Sequence, residues 1–164
     1  MTDVVLSIGG NIGDRLATLQ TVVDGLGDRV VAVSPVYETA AWGGVEQADF
    51  LNAVVVARDP ALGPEAWLQL GQELETAAGR VRDTRWGPRT LDVDIVDCDG
   101  ISSDDPHLTL PHPRAHERAF VLVPWLAIEP DARLAGTPVV DLVEMLPAGE
   151  IDGVRRYAGR LVNR

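Results

Sequence analysis

The sequence predicts an α+β fold. Three features carry that expectation: four short runs rich in β-branched residues, two stretches of helical periodicity set between them, and glycine or proline at the joins. "DVVLSI" (3–8) reads as a first strand and "GGNIGD" as the turn after it. From Asp14 onward, Leu16, Leu19, Val22, Val23 and Leu26 recur at helical spacing, with Gly25 and Gly27 placed to end the helix. "VVAVSPVY" (30–37) reads as a second strand, with Pro35 pushing part of it to an edge, and "FLNAVVVA" (50–57) as a third. Pro64 suits the first position of a helix over "PEAWLQLGQELETAA", which Gly79 terminates. "TLDVDIV" (90–96) is the fourth strand, entered through a "WGPR" turn.

Strand, helix, strand, strand, helix, strand is the order of a ferredoxin-like unit, an antiparallel sheet with helices packed on one face. Beyond it, "PRAHERAFVLVPWLAIEP" and "PVVDLVEML" predict extra C-terminal helical segments, interrupted by Pro124 and Pro130. No compositional break, repeat or low-complexity tract divides residues 1–164, so one domain is expected.

Composition narrows the function. The formal net charge of -11 argues against a nucleic-acid partner, because phosphate backbones are gripped by basic surfaces. The one cysteine, Cys98, excludes an internal disulfide framework and any multi-cysteine metal site. No apolar run approaches the roughly 20 residues of a membrane span, and "MTDVVLSIGG" has no basic leader, so a cytosolic protein is expected. All 14 basic residues are arginine, and Arg80, Arg82, Arg85, Arg89, Arg114 and Arg118 fall in two short windows. Those windows are locally cationic, and the planar guanidinium matches phosphate or carboxylate oxygens.

The fourth strand carries the sharpest chemistry. Alternate strand residues share a face, so Asp92 and Asp94 project together while Val93 and Ile95 point into a core. Two carboxylates spaced so, about 6–7 Å apart, repel by roughly 2–3 kcal/mol at an effective dielectric near 20. A cation between them resolves the conflict. Mg²⁺ fits, since it takes one or two carboxylates and completes its shell with waters and substrate phosphates. The plainer alternative is a pair of solvated acids neutralised by arginines. Asp97 and Asp99 fall on the opposite parity and read as surface. The run "RVRDTRWGPR" (80–89) sets positive charge beside the pair, as a polyphosphate bridging metal and guanidinium groups requires. A salt-bridged helix end explains Arg80 and Arg82 but not Arg85 and Arg89.

Other motifs are weaker. His112 and His116 are four apart, yet Pro113 between them is placed to start a helix that leaves His112 outside, and no third soft ligand is at hand; phosphate contact by His112 is the better reading. "GGNIGD" has Asn11 where a dinucleotide loop needs glycine, and a chain without lysine has no P-loop. Trp42 and Trp86 lie in glycine-flanked loops. Phe50 and Asn52 share a strand face, where an aromatic and a carboxamide suit a flat heterocycle, although core packing explains Phe50 equally well.

Taken together, "GGNIGDR", "SPVYETAAWG", "DFLNAVV", "GRVR", "RWGPRTLDVDI", "LPHPRAHERAF" and "VPW" resemble the 6-hydroxymethyl-7,8-dihydropterin pyrophosphokinase family over about residues 4–130. That resemblance implies a monomeric ferredoxin-like enzyme of folate biosynthesis, transferring diphosphate from ATP to the pterin hydroxymethyl group and releasing AMP. It implies that Asp92 and Asp94 hold two Mg²⁺ ions, and that Arg80 and Arg89 contact phosphate. It implies further that Trp86 packs over the closed site and that His112 and Arg118 add ATP contacts. Gln72, Glu75, Arg82, Ile95 and Thr109 match nucleotide-lining positions. Asn52 matches the pterin-binding amide, Phe50 and Phe120 the aromatic pair around the ring, and Thr39 and Trp42 the loop beside it. The chain departs from the family pattern at Gly10, where a serine is usual, at Phe50, where tyrosine is common, and in a shorter 82–86 loop carrying Asp83. Residues 131–164 match weakly and receive no role. A metal-dependent phosphodiesterase and a non-catalytic ferredoxin-like ligand-binding module are the rival readings of the same residues.

Overall fold

The computed structural model describes residues 3–40, 48–79 and 90–163. β1 (Asp3–Gly10) runs two residues further than its apolar segment, through both glycines. α1 (Arg15–Leu26) is capped by Asp14, whose carboxylate accepts the Ala17 N–H at 3.1 Å, and it closes at Gly27, where φ is 58°. The expected second strand is two strands, β2 (Val30–Val33) and β3 (Tyr37–Thr39). Pro35 has no N–H for a ladder, and Ser34 fills the break: its hydroxyl accepts from Val54 N at 2.9 Å while its own N–H donates to Val54 O at 2.9 Å. β4 (Phe50–Arg58) and α2 (Pro64–Ala77) follow, the latter with proline at its start.

β5 (Asp92–Cys98) completes the core, and β6 (Ser103–Asp105) pairs with β7 (Leu108–Leu110) as a hairpin. Pro113 does not start a helix; a 3-10 turn over Ala115–Glu117 precedes α3 (Ala119–Ile128). Nor does Pro124 interrupt α3. It lies inside the helix, buried among Val121, Leu122 and Trp125, and burial on an almost wholly apolar helix offsets the missing hydrogen bond. β8 (Arg133–Leu134), β9 (Thr137–Pro138), α4 (Val139–Met145), α5 (Ala148–Asp152) and β10 (Arg155–Arg156) finish the described chain.

Among the described residues the main sheet is antiparallel, in the order β10, β3, β4, β1, β5, with β2 also on β4. With β2 and β3 taken as one strand, this is the ferredoxin-like arrangement. The sheet is covered on both faces, not one. Leu6, Ile8, Leu51, Ala53, Val55, Val93 and Ile95 pack against α1 and α2, while Val5, Val54, Val56 and Val96 pack against α3 and α4. β1 and β4 are apolar at nearly every position rather than at alternate ones, which two covered faces require. No helix among the described residues is long and apolar enough to cross a membrane.

Candidate active site

α3 and α4 cover Val5, Val54, Val56 and Val96, but the same strands carry small or polar residues toward their other end. Register places them in rows. Gly9 of β1 lies between Asn52 of β4 and Asp92 of β5, and Ser7 lies between Val54 and Asp94. Asn52 and Asp92 are therefore two strand spacings apart, roughly 10 Å. Since Val93 and Ile95 are in the core under α2, Asp92 and Asp94 face the α3 side together, both partly buried.

The Gly9–Asn52 contact is a close approach that needs glycine. A Cβ at Gly9 would stand 2.8 Å from Asn52 Oδ1 and 3.3 Å from Leu51 O. Asn52 is 5% exposed, and its Nδ2 donates to Thr39 Oγ1 at 2.7 Å, which fixes the orientation of the amide. Thr39 pairs with Phe50 across β3 and β4, so Thr39, Phe50 and Asn52 form one corner of the face. Phe120, in the first turn of α3, is half-buried on the same side, and the Arg118 guanidinium stands 5.5 Å from its ring centroid.

Arg118 carries positive charge to the acids. Burial lowers its pKa, and the charges of Asp94 and, more weakly, Asp92 act in the opposite direction, so the guanidinium lies within electrostatic reach of both. His112 stands beside it. Burial first, and then the Arg118 and Arg114 charges, push the His112 imidazole down to about 4. It is neutral at pH 7. Its Nδ1 accepts the Arg114 N–H at 3.2 Å, and its own backbone N–H donates to Val96 O at 2.9 Å, which ties it to β5.

The other predicted residues are spread more widely. Gln72 is exposed on α2, and Thr109 is half-buried on β7 with its hydroxyl bonded to Asp105 O at 3.0 Å. Ile95 lies with its side chain in the core below the sheet, and Glu75 is 4% exposed on α2 with Oε2 accepting the Val93 N–H at 2.9 Å. Trp42, Arg80, Arg82, Arg85, Trp86 and Arg89 lie outside the described residues. Ser7 and Gly9 escaped the sequence reading because paired glycines usually end a strand, whereas here the strand continues through them.

Parity failed at Asp97. A register shift between Val5 and Leu6 inserts Val96 as an extra residue, so Asp97 comes opposite Val5 on the α3 side, half-buried rather than on the surface. Burial raises its pKa, and Asp99 and Glu129 add to the effect.

Among the described residues no group of three or more His, Cys, Asp or Glu is placed to hold a metal ion. Two carboxylates alone are a poor self-sufficient cage, but they fit Mg²⁺ that arrives with, and is completed by, phosphate oxygens. The donor set is all oxygen and hard, as that ion requires.

Comparison with known proteins shows the family. The family profile described as 7,8-dihydro-6-hydroxymethylpterin-pyrophosphokinase (HPPK) matches residues 5–130. The 2-amino-4-hydroxy-6-hydroxymethyldihydropteridine pyrophosphokinase of Mycobacterium leprae is 57% identical, over 99% of this chain and 90% of that protein. The Mycobacterium tuberculosis protein of the same name is 54% identical, over 96% and 90%. A crystal structure of Plasmodium falciparum HPPK-DHPS superposes with a TM-score of 0.70 at 13% identity, covering 94% of this chain and 47% of that one. This chain thus spans about half of that longer protein, and the likeness speaks for the fold alone. With a matching profile over most of its length and relatives above half identity, the chain belongs to the 7,8-dihydro-6-hydroxymethylpterin-pyrophosphokinase family.

Proposed function

We propose that this chain transfers the diphosphate of ATP to the hydroxymethyl oxygen of 6-hydroxymethyl-7,8-dihydropterin and releases AMP, a step of folate biosynthesis. The observation that carries the reading is the row Asn52, Gly9, Asp92, which sets an oriented amide and a carboxylate roughly 10 Å apart on one face of the sheet, with no side chain between them. A flat ring held at Asn52 between Phe50 and Phe120 would direct its substituent along that row toward Asp92 and Asp94. Thr39 orients the amide, and Trp42 belongs to the loop beside the ring.

The oxygen of the hydroxymethyl group forms a bond to the β-phosphorus as the bond from that phosphorus to the α–β bridging oxygen breaks. AMP leaves with the bridging oxygen, and the hydroxyl proton passes to solvent. Two Mg²⁺ ions held by Asp92 and Asp94 would neutralise charge on the phosphates. The chain's own share is positioning and fixed charge: Arg118 from the start of α3, and Arg80 and Arg89 as phosphate-contacting arginines. Neutral His112 offers a hydrogen bond rather than a second positive charge. Gln72, Arg82 and Thr109 belong to the nucleotide side, with Trp86 closing over it, while Ile95 and Glu75 support β5 from the opposite face. The acidic balance and one buried cysteine support a cytosolic monomer with no nucleic-acid partner.

The test is AMP formation from ATP, Mg²⁺ and the reduced pterin. AMP that appears only when pterin is present is the expected result; AMP formed equally without pterin, or none with it, defeats the reading.

A further inference from the structure

We propose that Glu75 is a positioning residue for the Asp92 and Asp94 pair and acts through the backbone of Val93, not by touching nucleotide. This rests on the pyrophosphokinase reading and assigns Glu75 a role within it.

Among the described residues β5 is the last strand of the main sheet, so its outer backbone groups meet no further described strand of that sheet. Glu75 reaches it from α2, on the face opposite the two aspartates, and takes the Val93 N–H on Oε2 at 2.9 Å while itself 4% exposed. Gly71, one turn earlier, lies against the same residue: a Cβ there would stand 3.1 Å from Val93 Cγ1. Further along the strand the Val96 carbonyl is held by the His112 N–H. The strand edge is therefore pinned at the residue between the two aspartates and again two residues beyond Asp94.

A buried carboxylate is costly where an apolar side chain would pack between α2 and the sheet, and the Val93 N–H is one of the groups that offset that cost. A carboxylate bonded to a backbone N–H is a charge-assisted contact, and losing the acceptor leaves a buried donor unsatisfied. Asp92 and Asp94 flank Val93, so rotation of the backbone there swings both side chains at once. Glu75 holds the spacing that a nucleotide-borne ion must find ready.

Two variants and two measurements test this. The first measurement is hydrogen exchange at the Val93 amide in nucleotide-free protein; the second is the gain in affinity for α,β-methylene ATP on adding Mg²⁺. In Glu75→Leu, Val93 exchange should rise about tenfold or more with β1 and β4 amides unchanged, and the Mg²⁺-dependent gain should fall about tenfold. Glu75→Gln keeps an acceptor oxygen and should hold both quantities within about threefold of wild type. Unchanged Val93 exchange in Glu75→Leu overturns the proposal, as does an equal loss of affinity with and without Mg²⁺, which marks a direct nucleotide contact. If Glu75→Leu does not fold, Glu75→Gln decides: Val93 protection and Mg²⁺-dependent gain both within about threefold of wild type support the role, and a tenfold loss of gain with Val93 fully protected refutes it. Failure of the underlying reading shows separately, as absence of AMP from wild-type protein, and leaves the Val93 exchange result standing.

Discussion

Asp94 and Gly9 act on the site in different ways and fail differently. Asp94→Ala removes a partly buried carboxylate from the α3 face of β5 without touching the core, so the fold should persist while turnover drops on the order of a hundredfold or more, measurable as AMP release beside an unchanged circular dichroism spectrum. Gly9→Ala adds only a methyl group, yet it drives into Asn52 Oδ1 and a main-chain carbonyl. It should raise KM for the pterin about tenfold, at a cost of roughly 1–3 kcal/mol in strain, with the nucleotide Kd little changed. His112 has a pH signature. Its folded pKa lies at about 4, below the ordinary 6.5, so the unfolded chain binds the extra proton between those values. Stability from this group is full above pH 6.5 and is lost as pH falls toward 4. His112→Asn, which keeps an acceptor for the Arg114 N–H, should flatten that acid limb in thermal melts.

β5 shows how one inserted residue redirects an element. Before the bulge, odd-numbered Val93 and Ile95 point toward α2; after it, Asp97 points toward α3. Asp97 consequently sits as a half-buried acid whose pKa is raised by burial, so its charged form opposes folding. The sign follows directly: its contribution is most favourable below the usual carboxylate range and is lost as pH rises through the elevated folded value. Asp97→Asn keeps the acceptor used by the Gly100 N–H and should raise Tm at pH 7 but not at pH 3. An equal effect at both values would point to packing instead of charge. β2 and β3 make a related point, because a proline that merely weakens a strand would not need the hydroxyl of Ser34 bonded back to Val54.

Across the molecule, the C-terminal region is tied to the corner of Thr39, Phe50 and Asn52, though its sequence matched the family only weakly. β10 pairs with β3. Arg155 donates to Asp49 at 3.0 Å, directly before Phe50, and Arg15 donates to Glu38 at 2.6 Å and to Asp49 O at 2.9 Å. Gln20 and Val162 exchange two hydrogen bonds, at 2.7 and 2.9 Å. Ending the chain after Gly153 removes Arg155 and the Val162 bonds, and at about 1 kcal/mol each the loss of two or three net bonds should lower Tm by about 5–10 °C. KM for the pterin should rise with it, since Asp49 leads into Phe50; a fall in Tm with unchanged KM would confine the tail to stability.

The order of elements, the shared face of Asp92 and Asp94, and the arginine-rich windows were legible in the sequence because each depends on residues a few positions apart. Strand periodicity alone is enough to say that Val93 and Ile95 oppose the two aspartates. The family resemblance assigned a role to Phe50, which spacing left open between core and site, and to Phe120, which spacing did not single out. What local pattern does not contain is register, edge protection and face coverage. Gly9 standing between Asn52 and Asp92, Asp97 turned over by a bulge, Glu75 reaching Val93 from the far side of the sheet, and α3 passing through Pro124 all arise between segments tens of residues apart. Such contacts are selected by which packed arrangement buries the most apolar surface while satisfying the backbone, a choice made by the whole chain and by no window within it.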